Sequence, residues 1–557
     1  MTSDGELLYL PLGGVGEIGM NLSLYGWAGK WLMVDLGVSF GDETMPMIDV
    51  VMPDPAWIEE RRKDLVGLVV THGHEDHLGA IQYLWRRLGC PVYATPFAAA
   101  ILRAKLHEVG LDTIVPLHVV DLGSRFKVGP FDVEMVSLTH SIPEPNAVAI
   151  RTPAGMVLHT GDWKFDPDPL IGLPADTDRL RQLGGEGVLA LVGDSTNVFT
   201  PGETGSEAAV RASLIELIGR YPTGKVAVSC FATNLARLES VAIAAHTWGR
   251  SVALVGRSLW RIDKAARSLG YLADLPPFLD DRDAAELPDE NILYLCTGSQ
   301  GEPRAALARI AADDHPHVSM GEGDVVIFSS RIIPGNEKAI FHLQNQLVKL
   351  GVRLVTEKDA FVHVSGHPAR KDMVEMYSLV RPGIAIPVHG EARHLLEHAA
   401  LARECQVPEA LVIENGAVVR LAPGPAEVVD WVPTGRLGVD GSGGADGPRL
   451  ARLDGEMLRS RRRMVFNGSA VVTLVLDRSG KLAGVPQVTA LGLLDVEHGA
   501  EEHAAVVNAV RDAVAALPQK VLLDDTVVKE AARRAVRRCC KETLGHKPVT
   551  DVHLVRI

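Results

Sequence analysis

Cysteine and long apolar runs are both scarce in this sequence. Only six cysteines occur among 557 residues, and none stands in a C-x-x-C pair, so we expect reduced thiols rather than a disulfide framework. No run approaches the ~18 uninterrupted apolar residues that a transmembrane helix needs. The first residues lack the basic segment and apolar core of a secretory signal. These absences predict a cytoplasmic protein that does not enter a membrane.

Positive charge is also in short supply. The formal net charge is −14, which is the opposite of what a nucleic-acid-binding protein usually carries. A net charge is only a global sum, however, and a positive groove can lie on an acidic protein. Bound metal cations would add further positive charge where an anionic substrate docks. The net charge therefore neither supports nor excludes a nucleic acid as partner.

The chain is too long for one hydrophobic core, so two or three domains are expected. The first ~200 residues alternate short strand-like runs with glycine-rich turns, which favours an α+β sandwich. From about residue 205 the pattern changes to β-α-β, which is typical of an open α/β sheet. The Gly-, Asp- and Ser-rich segment 439–448 indicates a linker, and the residues after it indicate a small α/β domain.

The strongest motif is HGHEDH at residues 72–77, directly after the apolar run 65–70. The spacing of its four candidate ligands fits a turn, because a helix would bring together only residues three or four positions apart. These ligands are His72, His74, Asp76 and His77. Imidazole and carboxylate groups are suitable zinc ligands. The motif therefore predicts a metal-binding loop at the carboxyl end of a strand.

Three further candidate ligands, His140, Asp162 and His389, each follow a strand-like run. Taken singly, each would more often be a core or turn residue. Four ligands from one loop cannot fill two metal sites, however, and the joint occurrence of these three after the loop motif favours a metal role. We therefore expect them to converge on residues 72–77.

These motifs resemble those of the metallo-β-lactamase superfamily, and within it those of the β-CASP nucleic-acid hydrolases and the ribonuclease J family. The resemblance extends over nearly the whole chain. It rests on LPLGGVGEIGMN (10–21), HGHEDHLGA (72–80), GDSTN (193–197), TGSQGEP (297–303), SSRIIPGNE (329–337), HVSGHP (363–368) and PVHGE (387–391). It implies an αββα nuclease domain at 1–205 and 370–438, an inserted β-CASP α/β domain at 206–369, and a C-terminal α/β domain at 449–557.

The resemblance also implies two zinc ions per subunit, with manganese or magnesium as alternatives in the cell. The first zinc ion would be held by His72, His74 and His140. The second would be held by Asp76, His77 and His389, with Asp162 bridging both. Asp76 would also count among the catalytic residues. A histidine at position 389 favours RNA over DNA as substrate, because DNA-processing relatives generally lack it.

Two segments are candidates for binding the RNA backbone. In His363, Val364, Ser365, Gly366 and His367, a glycine between hydroxyl and imidazole groups lets backbone N–H groups approach a phosphate. The resemblance makes His367 the general acid and Asp194 the residue that orients its ring. Phe231, Ala232 and Thr233 end a strand and precede a helix, which is an anion-binding position. A simple helix N-cap there, by Thr233 or Asn234, is an equally good interpretation.

The expected function is hydrolysis of RNA phosphodiesters in rRNA processing and mRNA decay. The resemblance implies 5′-to-3′ exonuclease and endonuclease activity, a preference for 5′-monophosphate ends, a homodimer or homotetramer, and partners in an RNA-decay complex. Two alternatives remain open from the residues. One is a small-molecule metallohydrolase, such as a lactonase or thioesterase, and the other is a non-catalytic RNA-binding scaffold.

Overall fold

The computed structural model describes residues 5–42, 44–444, 447–494 and 499–557. The chain divides into two compact units. The larger contains the residues up to Ser39 together with Met52–Thr434, and the smaller contains Phe40–Val51 and Gly435–Ile557. None of the described helices is both long and apolar enough to cross a membrane.

The elements up to residue 194 supply most of two large sheets. They are β1 (Leu7–Gly13), β2 (Val15–Gly16), β3 (Leu22–Trp27), β4 (Lys30–Val34), β5 (Ser39–Phe40), β6 (Ile48–Pro53), α1 (Ala56–Glu59), β7 (Leu65–Val69), α2 (Glu75–Leu78), α3 (Ile81–Leu88), β8 (Val92–Ala94), α4 (Pro96–Glu108), β9 (Leu117–Val119), β10 (Arg125–Val128), β11 (Phe131–Ser137), β12 (Asn146–Thr152), β13 (Gly155–His159), α5 (Thr177–Glu186) and β14 (Ala190–Asp194).

The elements between residues 207 and 355 form a separate sheet with its helices. They are α6 (Glu207–Gly219), β15 (Val226–Ser229), α7 (Leu235–Thr247), β16 (Ser251–Val255), α8 (Arg257–Ser268), α9 (Asp281–Ala284), a 3-10 turn (Asp289–Asn291), β17 (Ile292–Cys296), α10 (Ala306–Ala311), β18 (Val325–Phe328), α11 (Glu337–Lys349) and β19 (Arg353–Val355).

The chain then returns to the two large sheets before entering the smaller unit. The returning elements are α12 (Arg370–Val380), β20 (Ile384–Val388), β21 (Gly390–Glu391), α13 (Ala392–Glu404), β22 (Glu409–Ala410), β23 (Ala417–Ala422) and β24 (Glu427–Trp431). The last elements are β25 (Arg436–Gly444), β26 (Gly447–Arg452), α14 (Glu456–Asn467), β27 (Ser469–Leu476), β28 (Gln487–Thr489), α15 (Ala500–Ala515), α16 (Asp525–Leu544) and β29 (Val549–Arg556).

The two large sheets pack face to face as a sandwich. One has the order β24-β23-β1-β3-β4-β7-β8-β9, and the other β10-β11-β12-β13-β14-β20-β22. Their inner faces share one core, in which Tyr25 and Val69 of the first sheet pack with Ile150 and Ile386 of the second. Helices α5, α12 and α13 cover the outer face of the second sheet with residues such as Met376. The predicted α/β fold class with an αββα sandwich is confirmed.

The inserted sheet is fully parallel, with the order β16-β17-β15-β18-β19. All residues of β15, β17 and β18 are buried, as expected for parallel strands covered on both faces. The N-cap of helix α7 is Asn234, whose side chain accepts a hydrogen bond from the backbone N–H of Arg237. Since parallel strands end at the same edge, the loops after β15 and β18 lie at one side of this sheet.

The smaller unit contains a sheet ordered β28-β27-β29, which packs on α15 and α16 through Val472, Val510 and Val536. Residues 439–444 and 447–448, predicted as part of a linker, instead lie in β25 and β26. These strands pair antiparallel, with Asp440 opposite Arg449 and Gly444 opposite Gly447. The ladder joins backbone groups, so a glycine-rich composition does not prevent it. Residues 445 and 446 lie outside the described residues.

Candidate metal centre

The loop that carries HGHEDH leaves the end of β7 and turns into the short helix α2. His72 and His77 are buried, with 0% and 2% of their surface exposed. A Cβ atom at Gly73 would lie 2.9 Å from Ile101 Cδ1 and 3.1 Å from Ile142 Cδ1, so a larger residue there would require these side chains to shift. Residues of α4 therefore pack directly against the loop between His72 and His74.

The other three predicted ligands follow strands of the second sheet. His140 follows β11, Asp162 follows β13 and His389 follows β20. Strand β13 is parallel to β14 and β14 to β20, while β11 and β13 both run antiparallel to β12. Strands β11, β13 and β20 thus run in one direction, and their carboxyl ends share an edge of the sheet. The structure brings all seven predicted ligands together at this edge.

The first ligand group contains three imidazoles, from His72, His74 and His140. His72 Nε2 lies 3.1 Å from His74 Nδ1, and His140 Nε2 lies 3.0 Å from the same atom. For a tetrahedral zinc ion with Zn–N bonds of ~2.0–2.1 Å, the nitrogens would be about 3.3 Å apart. The spacing of these three nitrogens therefore fits one shared cation.

The second group contains Asp76, His77, Asp162 and His389. Asp162 Oδ2 lies 3.1 Å from His77 Nε2 and 3.5 Å from His389 Nε2. The same oxygen is 3.9 Å from His140 Nε2, so it stands between the two groups. Asp162 Oδ1 and His389 Nε2 are buried without a hydrogen-bond partner. Buried polar atoms without partners are costly, and a bound cation would supply the missing partner.

Buried polar groups orient these ligands from behind. The imidazole Nδ1 of His77 bonds Asp35 Oδ2 at 2.7 Å, and the Asp35 carboxylate also accepts the backbone N–H of Thr71 at 2.8 Å. His389 Nδ1 bonds Asn21 Oδ1 at 3.0 Å. His140 Nδ1 bonds the carbonyl oxygen of Gly366 at 2.5 Å. Such outer partners fix the tautomer and direction of metal-binding imidazoles.

Asp35 and Asn21 were not identified as site residues from the sequence. Asp35 ends the apolar run of β4, and Asn21 ends the glycine-rich segment that follows β1. A carboxylate at the end of a buried strand was the available signal for Asp35. The pairing of Asn21 with His389, 368 positions away, had no local signal.

The pKa values of three candidate imidazole ligands suit a divalent cation. Burial, reinforced by the neighbouring imidazoles, holds the pKa of His72 and of His140 well below the usual value. Burial lowers the pKa of His74 to about 4. These rings are therefore neutral at pH 7, with a lone pair free for a metal. Although burial opposes ionisation, His77 and the other imidazoles hold the pKa values of Asp76 and Asp162 below the usual range.

His367, the predicted general acid, lies beside this centre. Its Nδ1 is 2.8 Å from Asp194 Oδ2 and 3.7 Å from Asp162 Oδ2. Burial lowers the pKa of His367, but the charges of Asp194 and Asp162 outweigh burial and raise the pKa to about 9. Asn197 and Thr204 bond the carbonyl oxygen of His367 at 3.2 and 3.1 Å. The contact with Asp194 therefore orients the ring and favours its protonated form.

One predicted backbone-binding segment follows β15, and the other follows β19. In the segment 363–367, Ser365 Oγ accepts from Asn197 at 2.7 Å, and burial among Arg237, Lys164 and Arg331 lowers the pKa of His363 to about 3. Residues 231–233 lie between β15 and α7, and Asn234 is the N-cap that follows them. No ligand role is settled by these positions, so both segments remain a prediction.

Four family models match this chain. They are "Metallo-beta-lactamase superfamily" at residues 21–219, "Ribonuclease J, beta-CASP domain" at 223–347, "Zn-dependent metallo-hydrolase RNA specificity domain" at 351–408, and "Ribonuclease J C-terminal domain" at 456–557. The first match lies in the part of the chain that begins the two large sheets, and the second lies in the inserted sheet. The third spans the return of the chain to the large sheets, and the fourth lies in the smaller unit.

Curated relatives match nearly end to end. Ribonuclease J of Sinorhizobium meliloti is 44% identical over 562 residues, with 100% of this chain and 98% of the relative covered. Ribonuclease J of Mycolicibacterium smegmatis is 38% identical, with 99% and 98% covered. A solved structure of a protein of unknown function from Enterococcus faecalis aligns with a TM-score of 0.53 at 16% identity, covering 74% of this chain and 100% of that one. That structural match concerns the fold alone.

Proposed function

Because this chain belongs to the ribonuclease J family, we propose that its His/Asp centre hydrolyses RNA phosphodiesters with two zinc ions. The chain is a hydrolytic ribonuclease with RNA as its substrate. The observation that carries the proposed mechanism is the position of His367, which is bonded to Asp194. Its Nδ1 lies 3.7 Å from Asp162 Oδ2, the oxygen that stands between the two ligand groups. A proton donor and two cation sites then face one substrate phosphate.

The proposed metal ligands form two groups. The first ion is assigned to His72, His74 and His140, and the second to Asp76, His77 and His389, with Asp162 shared. When bound, such a pair of cations activates water for in-line attack and neutralises phosphate charge. Imidazole and carboxylate ligands also accept manganese, and magnesium is the other alternative in the cell.

The protein's own groups carry the remaining steps. His367 delivers a proton to the leaving oxygen, and Asp194 holds the imidazole through Nδ1 so that Nε2 is the donating atom. Residues 363–366 and 231–233 bind phosphates on either side of the cleaved bond, the second segment from its position just before α7. The burial of the ligands excludes bulk water from the shared carboxylate.

Several finer features are proposed on the strength of the family alone. They are 5′-to-3′ exonuclease and endonuclease action in rRNA processing and mRNA decay, a preference for 5′-monophosphate ends, a homodimer or homotetramer, and partners in an RNA-decay complex. The domain boundaries at 205/206 and 369/370 are proposed likewise. We propose action in the cytoplasm, which agrees with the free thiols of all six cysteines.

Product mapping on a 5′-labelled RNA with a 5′-monophosphate, run beside metal analysis of the protein, tests this function. We expect mononucleotides and internal cuts that depend on bound metal. A lactone and a thioester serve as parallel substrates, because the same ligands could serve a small-molecule hydrolase. Turnover of either one, without RNA cleavage by metal-loaded protein, would reject the proposal. RNA binding without any turnover would instead identify a scaffold.

A further inference from the structure

Arg237 on α7 is the most deeply buried cation of the inserted region, with 0% of its surface exposed. Its Nη1 donates to the carbonyl and hydroxyl oxygens of Ser329 at 2.9 and 2.6 Å, and to the carbonyl oxygen of Val362 at 2.9 Å. Ser329 Oγ donates to the same Val362 oxygen at 2.7 Å. Val362 immediately precedes His363, so the guanidinium anchors the start of the segment 363–367.

The other side of the guanidinium faces Glu207, which is 2% exposed. Nε and Nη2 of Arg237 donate to the Glu207 carboxylate at 3.0–3.2 Å. The same carboxylate accepts the side-chain amide of Asn234 at 3.2 Å. Asn234 directly follows Thr233, so this ion pair also holds the end of the segment 231–233.

A third set of contacts joins this ion pair to the metal centre. The backbone N–H of Glu207 donates to Asp166 Oδ2 at 3.0 Å, and Asp166 pairs with the buried Lys164 at 2.8 Å. The backbone N–H of Lys164 bonds the carbonyl of Thr139 at 2.7 Å. Thr139 precedes His140, and Lys164 follows Asp162 by two positions. These contacts therefore connect the loops that carry His140 and Asp162 to the backbone-binding segments 231–233 and 363–367.

Stability alone is a poor explanation for this arrangement. A buried ion pair pays a large desolvation cost, and apolar residues of similar volume often stabilise a protein as well or better. The planar guanidinium, by contrast, offers several donors in fixed directions. Three separate chain segments are held by one such group here.

We propose that Arg237, through its pair with Glu207, is a positioning residue that sets the distance between the two RNA-backbone-binding segments and their register on the metal centre. This inference rests on the proposed function. It predicts that weakening the guanidinium contacts impairs RNA binding and turnover without removing the metal ions.

Arg250 provides a matched control. It is also buried, at 2% exposure, and it lies in the same inserted region. Its guanidinium donates only to carbonyl oxygens, those of Tyr221, Gly224, Asp289 and Ile292. These positions lie at or near the amino ends of β15, β16 and β17, at the edge opposite to the predicted RNA-binding loops. Arg250→Lys should therefore reproduce the structural damage of Arg237→Lys without its functional consequence.

The experiment compares wild type, Arg237→Lys and Arg250→Lys on a 5′-monophosphorylated RNA. Metal content, Tm, KM and kcat are measured at a temperature where all three are folded. We expect both variants to lower Tm and to keep their metal. We expect KM to rise about tenfold or more in Arg237→Lys, since small misplacements of substrate-positioning groups are costly, and to stay within about twofold of wild type in Arg250→Lys. Lysine retains the charge, so Arg237→Met should be worse.

Equal changes in the two lysine variants, or an unchanged KM in Arg237→Lys, would overturn the positioning role. If Arg237→Lys does not fold, Ser329→Ala carries the same test, because it removes one contact to Val362 and leaves the ion pair in place. A wild-type protein that fails to cleave RNA would reject the proposed function itself, which keeps the two failures distinguishable.

Discussion

His367 Nδ1 and Asp194 Oδ2 are 2.8 Å apart, and the carboxylate side chain is fully shielded from solvent. Asp194 is the last residue of β14, whereas His367 lies beyond the whole inserted sheet. A charged acceptor in such surroundings both orients the imidazole and favours its protonated form.

Asp194→Asn should lower kcat for RNA cleavage by about 10²- to 10⁴-fold, the usual contribution of a general acid. The amide keeps the size of the side chain but removes the negative charge that supports the protonated ring. Metal content should stay unchanged, because Asp194 belongs to neither the first nor the second ligand group. Loss of metal in this variant would place the residue in the coordination shell and contradict its orienting role.

His77→Ala should reduce turnover by several orders of magnitude while RNA affinity falls much less. His77 Nε2 lies 3.1 Å from the shared Asp162 oxygen, so its loss opens the second ligand group. Elemental analysis and a filter-binding measurement, made on one preparation, separate the two effects. His107→Ala is the matched control, since that imidazole is 80% exposed. An unchanged rate in His77→Ala would refute the two-metal assignment.

Asp35→Asn should weaken metal binding without abolishing it. Asp35 does not belong to either ligand group but bonds His77 Nδ1 at 2.7 Å. Loss of outer partners typically costs about 10- to 100-fold in metal affinity. Titration of the metal-free protein with zinc, with cleavage as a second readout, measures the change. Activity should return at high zinc concentration. Asp64→Asn, which alters an exposed ion pair with Lys30, should leave affinity unaffected.

Gly366→Ala should inactivate the enzyme through steric contact. A Cβ at position 366 would lie 2.6 Å from His140 Nδ1 and 2.8 Å from Ser141 Oγ. The methyl group would therefore displace either the ring of His140 or the segment that contains His367. We expect lower metal content and loss of cleavage. Gly185→Ala is the control, since its Cβ would meet nothing within 4 Å and alanine favours helix α5.

His398→Gln should make stability less sensitive to acid. His398 bonds Ser195 Oγ and Tyr377 OH, each at 2.9 Å, and burial lowers its pKa to about 4. Below the unfolded-state pKa of ~6.5, the imidazole is protonated in the unfolded state but stays neutral in the folded state. The free energy of unfolding therefore falls by about 1.4 kcal/mol per pH unit until the folded-state pKa is reached. Tm measured from pH 7 to pH 4.5 should fall faster in wild type than in His398→Gln. Parallel curves would contradict this assignment.

The sequence allowed the fold class and the convergence of the seven candidate ligands to be predicted. Motif residues such as His72 and Asp162 stand at strand ends, where local pattern and chemistry coincide. The supporting groups could not be found in this way. In the sequence, Glu207 and Arg237 look like ordinary helix residues. The guanidinium of Arg237 contacts Ser329 and Val362, which lie 92 and 125 positions further along the chain.

The strands at residues 439–444 and 447–448 could not be foreseen, for a related reason, within the predicted linker. Its glycine and polar composition indicates flexibility, but hydrogen bonds between backbone groups do not depend on side chains. Strands β25 and β26 use this possibility, and only the pairing register reveals it.

Strands β14 and β20 are direct neighbours, with Asp194 opposite Val388, although the whole five-stranded inserted sheet separates them along the chain. The backbone N–H of Arg370 bonds the carbonyl of Thr200 at 2.9 Å, so the chain leaves and re-enters the sandwich at adjoining points. The pairing of β14 with β20 therefore does not depend on the length of the chain between these points. Natural selection on this segment acts on recognition and on cleavage together, because the proposed proton donor His367 also lies within it.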